Sequence, residues 1–433
     1  MKNKGWISYL FQKRMLLILC LGFASGLPLG LSGATLQAWY AYSGSSIVLI
    51  GALTLIGQPY VYKYLWAPLI DKWQLPFGRR KGWMIFSQFA LIVILCMMAM
   101  LNPRDYPYQL LVVAFALAFL SATQDIAVDA YRTEILTPEE RGIGTSMAVS
   151  GYRVAMLISG GLSMVLADYY GFQLTYFMMA GLMGICLLIT YQAKEPDSYA
   201  AAPPSVRAAC IGPFKEWFSR PQAVVLLLFI ILYKFGDAFA GSLTLTFLLQ
   251  GVGFSLKTIG ASYKTVGFIA TLSGVFVGGI LMIRLGLYRS LLIFGVLQAI
   301  TNLCFSWLST VGADIQLMLA SIFLENFAGG MGTASFMALI MGLCNRQYTA
   351  TQFALLSSLS AVARVYIGPF AGQLVQTVGW YEFFIWTVVF SLPGLILLVF
   401  LRKTITKYGK GGMQPDPSPA ESSSPTENVL ANH

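Results

Sequence analysis

Apolar runs as long as a bilayer is thick recur along this chain from about residue 15 to residue 401, separated by short polar breaks. A helix needs roughly 20 residues to cross ~30 Å of hydrocarbon. In lipid every backbone polar group must find its partner within the chain, so runs of this length fold as helices and not as open sheets. A β-barrel would show shorter segments of alternating polarity. Only 11% of the 433 residues are charged, against roughly a quarter in a soluble domain. The sequence describes an all-α membrane protein.

Twelve transmembrane helices are expected, near residues 15–40, 47–70, 82–101, 110–131, 143–167 and 172–193, then 222–250, 257–283, 288–309, 315–344, 349–376 and 379–401. Lys2, Lys4, Lys13 and Arg14 precede the first run, but that run continues past Thr35 and others follow. It reads as an uncleaved span and not as a secretory leader. With both termini cytoplasmic, that side collects the loop cations, including Arg79, Arg80, Lys81, Arg141, Lys215, Arg284, Arg289 and Arg402. The other side holds only Arg104 and Lys257, the asymmetry that orients membrane proteins. The net charge of +10 is therefore topological, and gives no sign of a nucleic-acid partner.

Residues 194–221, with Pro196, Pro203, Pro204 and Pro213, form the longest internal polar stretch. They divide the chain into a six-helix bundle over 1–193, a cytoplasmic linker, and a second bundle over 222–403. Residues 404–433 are expected as a disordered cytoplasmic tail, Ser- and Pro-rich and without apolar periodicity toward its end. The six cysteines are scattered and the single histidine is His433, so neither a metal site, a cofactor nor a disulfide framework is expected. No nucleophile–base constellation suggests an enzyme, and any proton chemistry falls to carboxylates.

The halves show weak similarity. Gly151-Tyr152-Arg153-Val154 leads into Ser159-Gly160-Gly161 in the fifth span, and Ala363-Arg364-Val365-Tyr366 leads into Gly368-Pro369 in the eleventh. Two related halves with a site between them are the construction of alternating-access carriers. Charged residues inside the spans are costly, at about 2.5–3.5 kcal/mol on insertion scales, so they face a wet cavity or a partner. They are Lys63, Arg153, Lys234, Lys264, Arg364, Asp125, Asp129, Asp237 and Glu325.

Asp125 and Asp129 stand four apart and share a helix face. Neighbouring carboxylates in low dielectric cannot both ionise cheaply, which suits a proton-binding device. Pairing with Arg153 or Lys63 to tie helices together is the plainer alternative, favoured for Asp129. Lys234 and Asp237 are three apart and could satisfy each other. Glu325, beside Asn326, has no base near it in sequence and is the more isolated candidate for protonation. Arg153 and Arg364 suit an anionic ligand, because a guanidinium grips a carboxylate with two bonds, although salt bridges to Asp125 or Glu325 would also occupy them. Lys264 either draws in anions or snorkels.

Gly22, Gly26 and Gly30 in the first span permit close helix contact. Tyr60, Tyr62, Tyr64 and Trp66 either stack on sugar rings or mark the membrane interface. Asp71, followed by Gly78-Arg79-Arg80-Lys81, resembles the loop between spans two and three of the major facilitator superfamily, with a longer Asp-to-Gly interval. It could act as a conformational latch through Asp71, Arg79 and Arg80.

A narrower resemblance runs over about residues 15–401. Gly22-Phe23-Ala24-Ser25-Gly26-Leu27-Pro28, Ser121-Ala122-Thr123-Gln124-Asp125-Ile126, Gly151-Tyr152-Arg153 and Tyr233-Lys234-Phe235-Gly236-Asp237 are similar to tracts of the AmpG muropeptide permeases. So are Glu325-Asn326, Gly329-Gly330-Met331-Gly332-Thr333, Thr351-Gln352-Phe353-Ala354 and Arg364-Val365-Tyr366-Ile367-Gly368-Pro369. The resemblance implies a major facilitator fold of twelve helices in two pseudo-symmetric bundles. It also implies import of GlcNAc-anhydro-muramyl peptides across the bacterial inner membrane, driven by the proton motive force. That import feeds wall recycling and, in many species, β-lactamase induction. Some members carry two further C-terminal spans, whose role does not carry over to a chain with twelve spans and a polar tail.

On this basis Arg153, Arg364 and Lys264, with Gln124 and Tyr152, are expected at an anionic glycopeptide, and Asp125, Glu325, Asp129 and Asp237 at the proton. A monomer in the lipid bilayer is expected. The rivals are a carrier of another anion, such as acetyl-CoA or short peptides, and a membrane sensor that moves nothing.

Overall fold

The computed structural model describes residues 12–45, 49, 53–196 and 202–410, without the side chains of residues 54, 256, 257, 260–264, 361–366, 368, 369 and 410. Among the described residues the regular structure is helical, apart from one isolated bridge between Leu75 and Gly78. Ten of these helices are long and apolar enough to cross a membrane. They supply all the expected spans but the second and the eleventh, and both of those are broken.

Proline explains the first break. The described part of span two runs as short pieces, Leu53–Gly57, Gln58–Tyr62, Lys63–Leu65 and Ala67–Lys72. Pro59 and Pro68 each sit in the first turn of a piece, where a residue without an N–H fits but a continuous ladder does not. Span eleven is Thr349–Tyr366, after which Gly368–Phe400 continues into span twelve. Gly379, at φ 78°, bends that helix between the two spans, a left-handed conformation that suits a residue without Cβ.

The linker expected over 194–221 contains a helix, Val206–Phe218, whose first turn is capped by the Ser205 hydroxyl accepting from the Ala208 amide. The expected disordered tail begins too early. Arg402–Lys410 is helical, and its Ile405 and Tyr408 are buried against the basic ends of the spans. Apolar residues four positions from a membrane helix keep one face to bury. The remainder of that expectation, residues 411–433, lies outside the described residues.

Glycines set the tightest helix contacts. A Cβ on Gly22 or Gly26 would strike the backbone of Ala148 or Tyr152, and one on Gly30 the side chain of Ser159, so span one packs directly on span five. Gly274 and Gly278 bring span eight equally close to Phe327 and Met331 of span ten.

The cores divide unequally between the two ends of the bundle. One apolar cluster joins both halves at the end carrying the basic loops, from Met15, Ile18 and Met147 to Met282, Phe336 and Leu343. At the opposite end the clusters separate, one built wholly from the first half around Trp39, Leu95 and Tyr176, the other wholly from the second around Phe247, Phe305 and Phe384. Side-chain bonds there also stay within a half, as in Tyr40 to the Pro107 carbonyl and Ser306 to that of Tyr381. At the basic end the halves meet backbone to backbone, Gly142 against Gly279, with the Ser146 hydroxyl donating to the Val275 carbonyl at 2.7 Å. Among the described side chains, the halves share one apolar cluster at the basic end and form separate clusters at the other.

Candidate functional site

At the joined end, polar and charged side chains from both halves meet away from water. Asp71 and Arg80 are both 0% exposed, with Arg80 Nη2 at 2.8 Å from Asp71 Oδ1 and 2.6 Å from Glu134 Oε1. Arg79 lies 3.5 Å from Asp71 and donates to the Gln347 carbonyl at 2.6 Å. Asp71 also crosses to the second half. It accepts from the Ala350 amide at 3.2 Å, the Thr351 amide at 2.8 Å and the Thr351 hydroxyl at 2.6 Å. Those amides open the helix Thr349–Tyr366, whose N-terminal N–H groups lack intrahelical partners and attract an anion. Burial alone would lower the pKa of the Arg80 guanidinium, but Glu134 and Asp71 outweigh it and hold that pKa above the usual arginine value.

The linker helix closes over the same place. Glu216 binds Arg220 through both oxygens at 2.9 and 2.7 Å, and Arg220 donates to the Leu343 carbonyl at 2.6 Å. The Gln352 amide donates to Glu216 at 2.6 Å. Lys72, at the end of span two, reaches the Pro203 and Pro204 carbonyls at 2.9 Å each. Glu134, Thr351, Glu216 and Gln352 were not foreseen as members of this assembly, nor was Glu195, which accepts from the Arg80 and Lys81 amides at 2.8 and 2.9 Å. The partners are separated by up to 280 positions in sequence.

Inside the membrane the charges fall into two groups. In the first half Asp129 pairs with Arg132 at 2.9 Å and with Lys63 at 3.5 Å. Among the ion pairs of the described residues, the pairing expected for the two carboxylates is made by Asp129. Asp125 Oδ1 is buried without a hydrogen-bond partner, and Ser25, Lys63, Asp129 and Arg132 are the groups that act on it. In the second half Lys234 and Asp237 do satisfy each other, at 3.2 Å. Glu325 accepts from the Asn326 amide at 2.7 Å, and the field of the Lys234–Asp237 pair reaches it. Folding therefore gives Glu325 the charged neighbours its sequence surroundings lack.

Of the residues expected at a ligand, Tyr152 is partly exposed and Arg153 exposed, side by side on span five. Gln124 is fully buried, with neither amide atom hydrogen-bonded among the described residues. The side chains of Lys264 and Arg364 lie outside the described residues. Tyr60, one of the aromatic cluster, turns its hydroxyl into the interior beside Asp125, whereas Tyr62 is exposed; the four aromatics do not form one stacking surface.

Residues 14–366 and 259–427 match the sequence profile of the Major Facilitator Superfamily. The chain belongs to that superfamily. This major facilitator is 47% identical over 396 residues to the anhydromuropeptide permease of Escherichia coli strain K12, a match covering 91% of this chain and 81% of that protein. It is 37% identical over 403 residues to a putative transporter AmpG 4 of Rickettsia felis, covering 90% and 97%. The AmpG-type family expected from the sequence is thereby established, and the chain is a multi-pass membrane transporter. Among solved structures it superposes on the Escherichia coli fucose:proton symporter FucP with a TM-score of 0.67 at 14% identity, covering 92% of this chain and 99% of that one. The human organic anion transporter MFSD10 gives 0.64 at 17% identity, covering 89% and 97%. At such identities the likeness concerns the fold.

Proposed function

We propose that this major facilitator is a proton-coupled permease of the bacterial inner membrane that imports anhydro-muropeptides into the cytoplasm. The observation that carries this is the 47% identity to the Escherichia coli anhydromuropeptide permease across both halves. The charges inside the spans support an anionic, sugar-bearing cargo, with Arg153, Arg364 and Lys264 as the residues that would engage its carboxylates and Tyr152 beside them.

The basic end is taken as cytoplasmic, with both termini there. The closed latch then belongs to an outward-facing state, open to arriving cargo, with residues 1–193 and 222–403 as the two bundles that rock about it. Asp71 would hold the second bundle's helix in this state and release it in the other, so that Arg79, Arg80 and Thr351 lose their common acceptor. Asp125 and Glu325 would take the proton, with Asp129 and Asp237 balancing the charge around them. The unit is taken as a monomer.

The test is uptake of radiolabelled GlcNAc-anhydro-muramyl-tripeptide by proteoliposomes, with and without an imposed pH gradient. Accumulation that follows the gradient is the expected result. Equal competition by acetyl-CoA or an unrelated short peptide would replace the cargo. An absence of accumulation under every gradient would leave no permease to explain.

A further inference from the structure

Lys63, Asp125, Asp129 and Arg132 lie together in the interior of the first half. Asp129 is held firmly on one oxygen by Arg132 at 2.9 Å, three residues along the same helix, and more loosely on the other by Lys63 at 3.5 Å. Lys63 thus leans on a carboxylate that another cation already neutralises. Asp125, one turn away on the same helix, keeps Oδ1 buried without a hydrogen bond, and Lys63, Asp129 and Arg132 are charges that surround it. The first span faces it with Ser25, the second with Tyr60, and the fifth with Tyr152, beyond which stands Arg153. Span eleven packs on spans two and four; its Arg364 side chain is outside the described residues.

Counting formal charges decides what this cluster can do. Among these four groups, two ionised acids balance Lys63 and Arg132. A proton on Asp125 leaves one positive charge in excess, and an uncompensated charge away from water is strongly unfavourable. Arg132 is fixed on Asp129, while Lys63 carries its charge on a flexible four-carbon stem and is 12% exposed at its side chain. Resting on the permease function proposed above, we infer that Lys63 is a cargo-binding residue controlled by Asp125. A proton on Asp125 releases Lys63 to hold a carboxylate of the cargo, and the two enter as a neutral pair, one proton per carboxylate at this site. The only bond formed is O–H on Asp125, with the proton drawn from the outer solution. It returns to solvent on the other side when the carboxylate leaves and Lys63 turns back to the two aspartates.

Equilibrium binding of the labelled anhydro-muramyl-tripeptide to purified full-length protein, measured from about pH 5 to pH 8, tests this. In the wild type, binding should strengthen as pH falls. Lys63→Met should weaken it by roughly tenfold to a hundredfold, the worth of a charge-assisted contact, and flatten the pH profile, while Lys63→Arg restores most of both. Asp125→Asn, which fixes the neutral form, should bind at every pH as the wild type does in acid and should support exchange but not gradient-driven accumulation. If Lys63→Met kept the wild-type affinity and profile, or Asp125→Asn kept the profile, the inference would be overturned with the permease function untouched. Should Lys63→Met fail to fold, the Asp125→Asn profile decides alone. Wild-type protein that neither binds nor takes up the peptide would instead overturn the function itself.

Discussion

Asp71 is fully buried and Asp125 half-buried with one oxygen removed from water, both in the first half, and their surroundings are opposite. Asp71 receives hydrogen bonds from two arginines, two backbone amides and a hydroxyl. Asp125 has one carboxylate oxygen with none. A buried ion whose lone pairs are filled is a fixed structural element, and separating it from its partners is expensive. A buried carboxylate with an empty position has a cheap alternative, which is to bind a proton or to let its neighbouring cation bind something else. On the function proposed above, the first would belong to a lock between the halves and the second to a site that changes state on every cycle.

Four experiments would break or sharpen this contrast. Asp71→Ala leaves Arg79 and Arg80 facing one another, and the expected loss is about 3–5 kcal/mol, read as a fall in thermal midpoint in detergent. Asp125→Asn should cost far less in the same assay while abolishing gradient-driven uptake; equal destabilisation by the two would end the distinction. Thr351→Val removes one bond to a charged acceptor, about 1.5–3 kcal/mol, and should shift the protein toward the inward-facing state, seen as faster labelling of a cysteine introduced at the buried Ala350. Gly26→Leu, colliding with Tyr152, should cost about 1–3 kcal/mol, whereas Gly160→Ala, with open space around it, should be nearly silent.

The smallest effect expected is a null one. Arg80 holds its proton more tightly folded than unfolded, so its stabilisation is complete below the ordinary arginine pKa and is lost only as pH rises beyond that. The thermal midpoint of the Arg80→Met variant relative to wild type should therefore stay constant from about pH 7 to pH 10, while uptake varies with pH. A difference that shrinks over that window would mean that the latch itself titrates.

Much of the fold was legible because a bilayer imposes a length and a polarity that can be counted residue by residue. The ten intact spans, the basic end and the Gly379 bend all lie close to where apolar runs start and stop. The broken second span was harder: Pro59 and Pro68 advertise interruption, but the run around them is apolar enough to pass for one helix. The tail shows the opposite error: Arg402–Lys410 is too short and too polar to read as a span, yet Ile405 and Tyr408, three apart on one face, are buried.

Within the site, pairs close in sequence were readable. Lys234 with Asp237, and Asp71 with Arg79 and Arg80, follow from helical spacing and a short loop. Nothing local announces that Asp71 caps a helix 280 positions away, or that Glu216 and Gln352 share one arginine.

The sequence alone determined that this chain crosses a membrane many times, which end is basic, and which charged residues are stranded in oil, because hydration costs attach to each residue individually. Only the tertiary structure decided which of those charges are satisfied and which are left waiting, because hydrogen bonds depend on distances of a few ångströms between segments far apart in the chain.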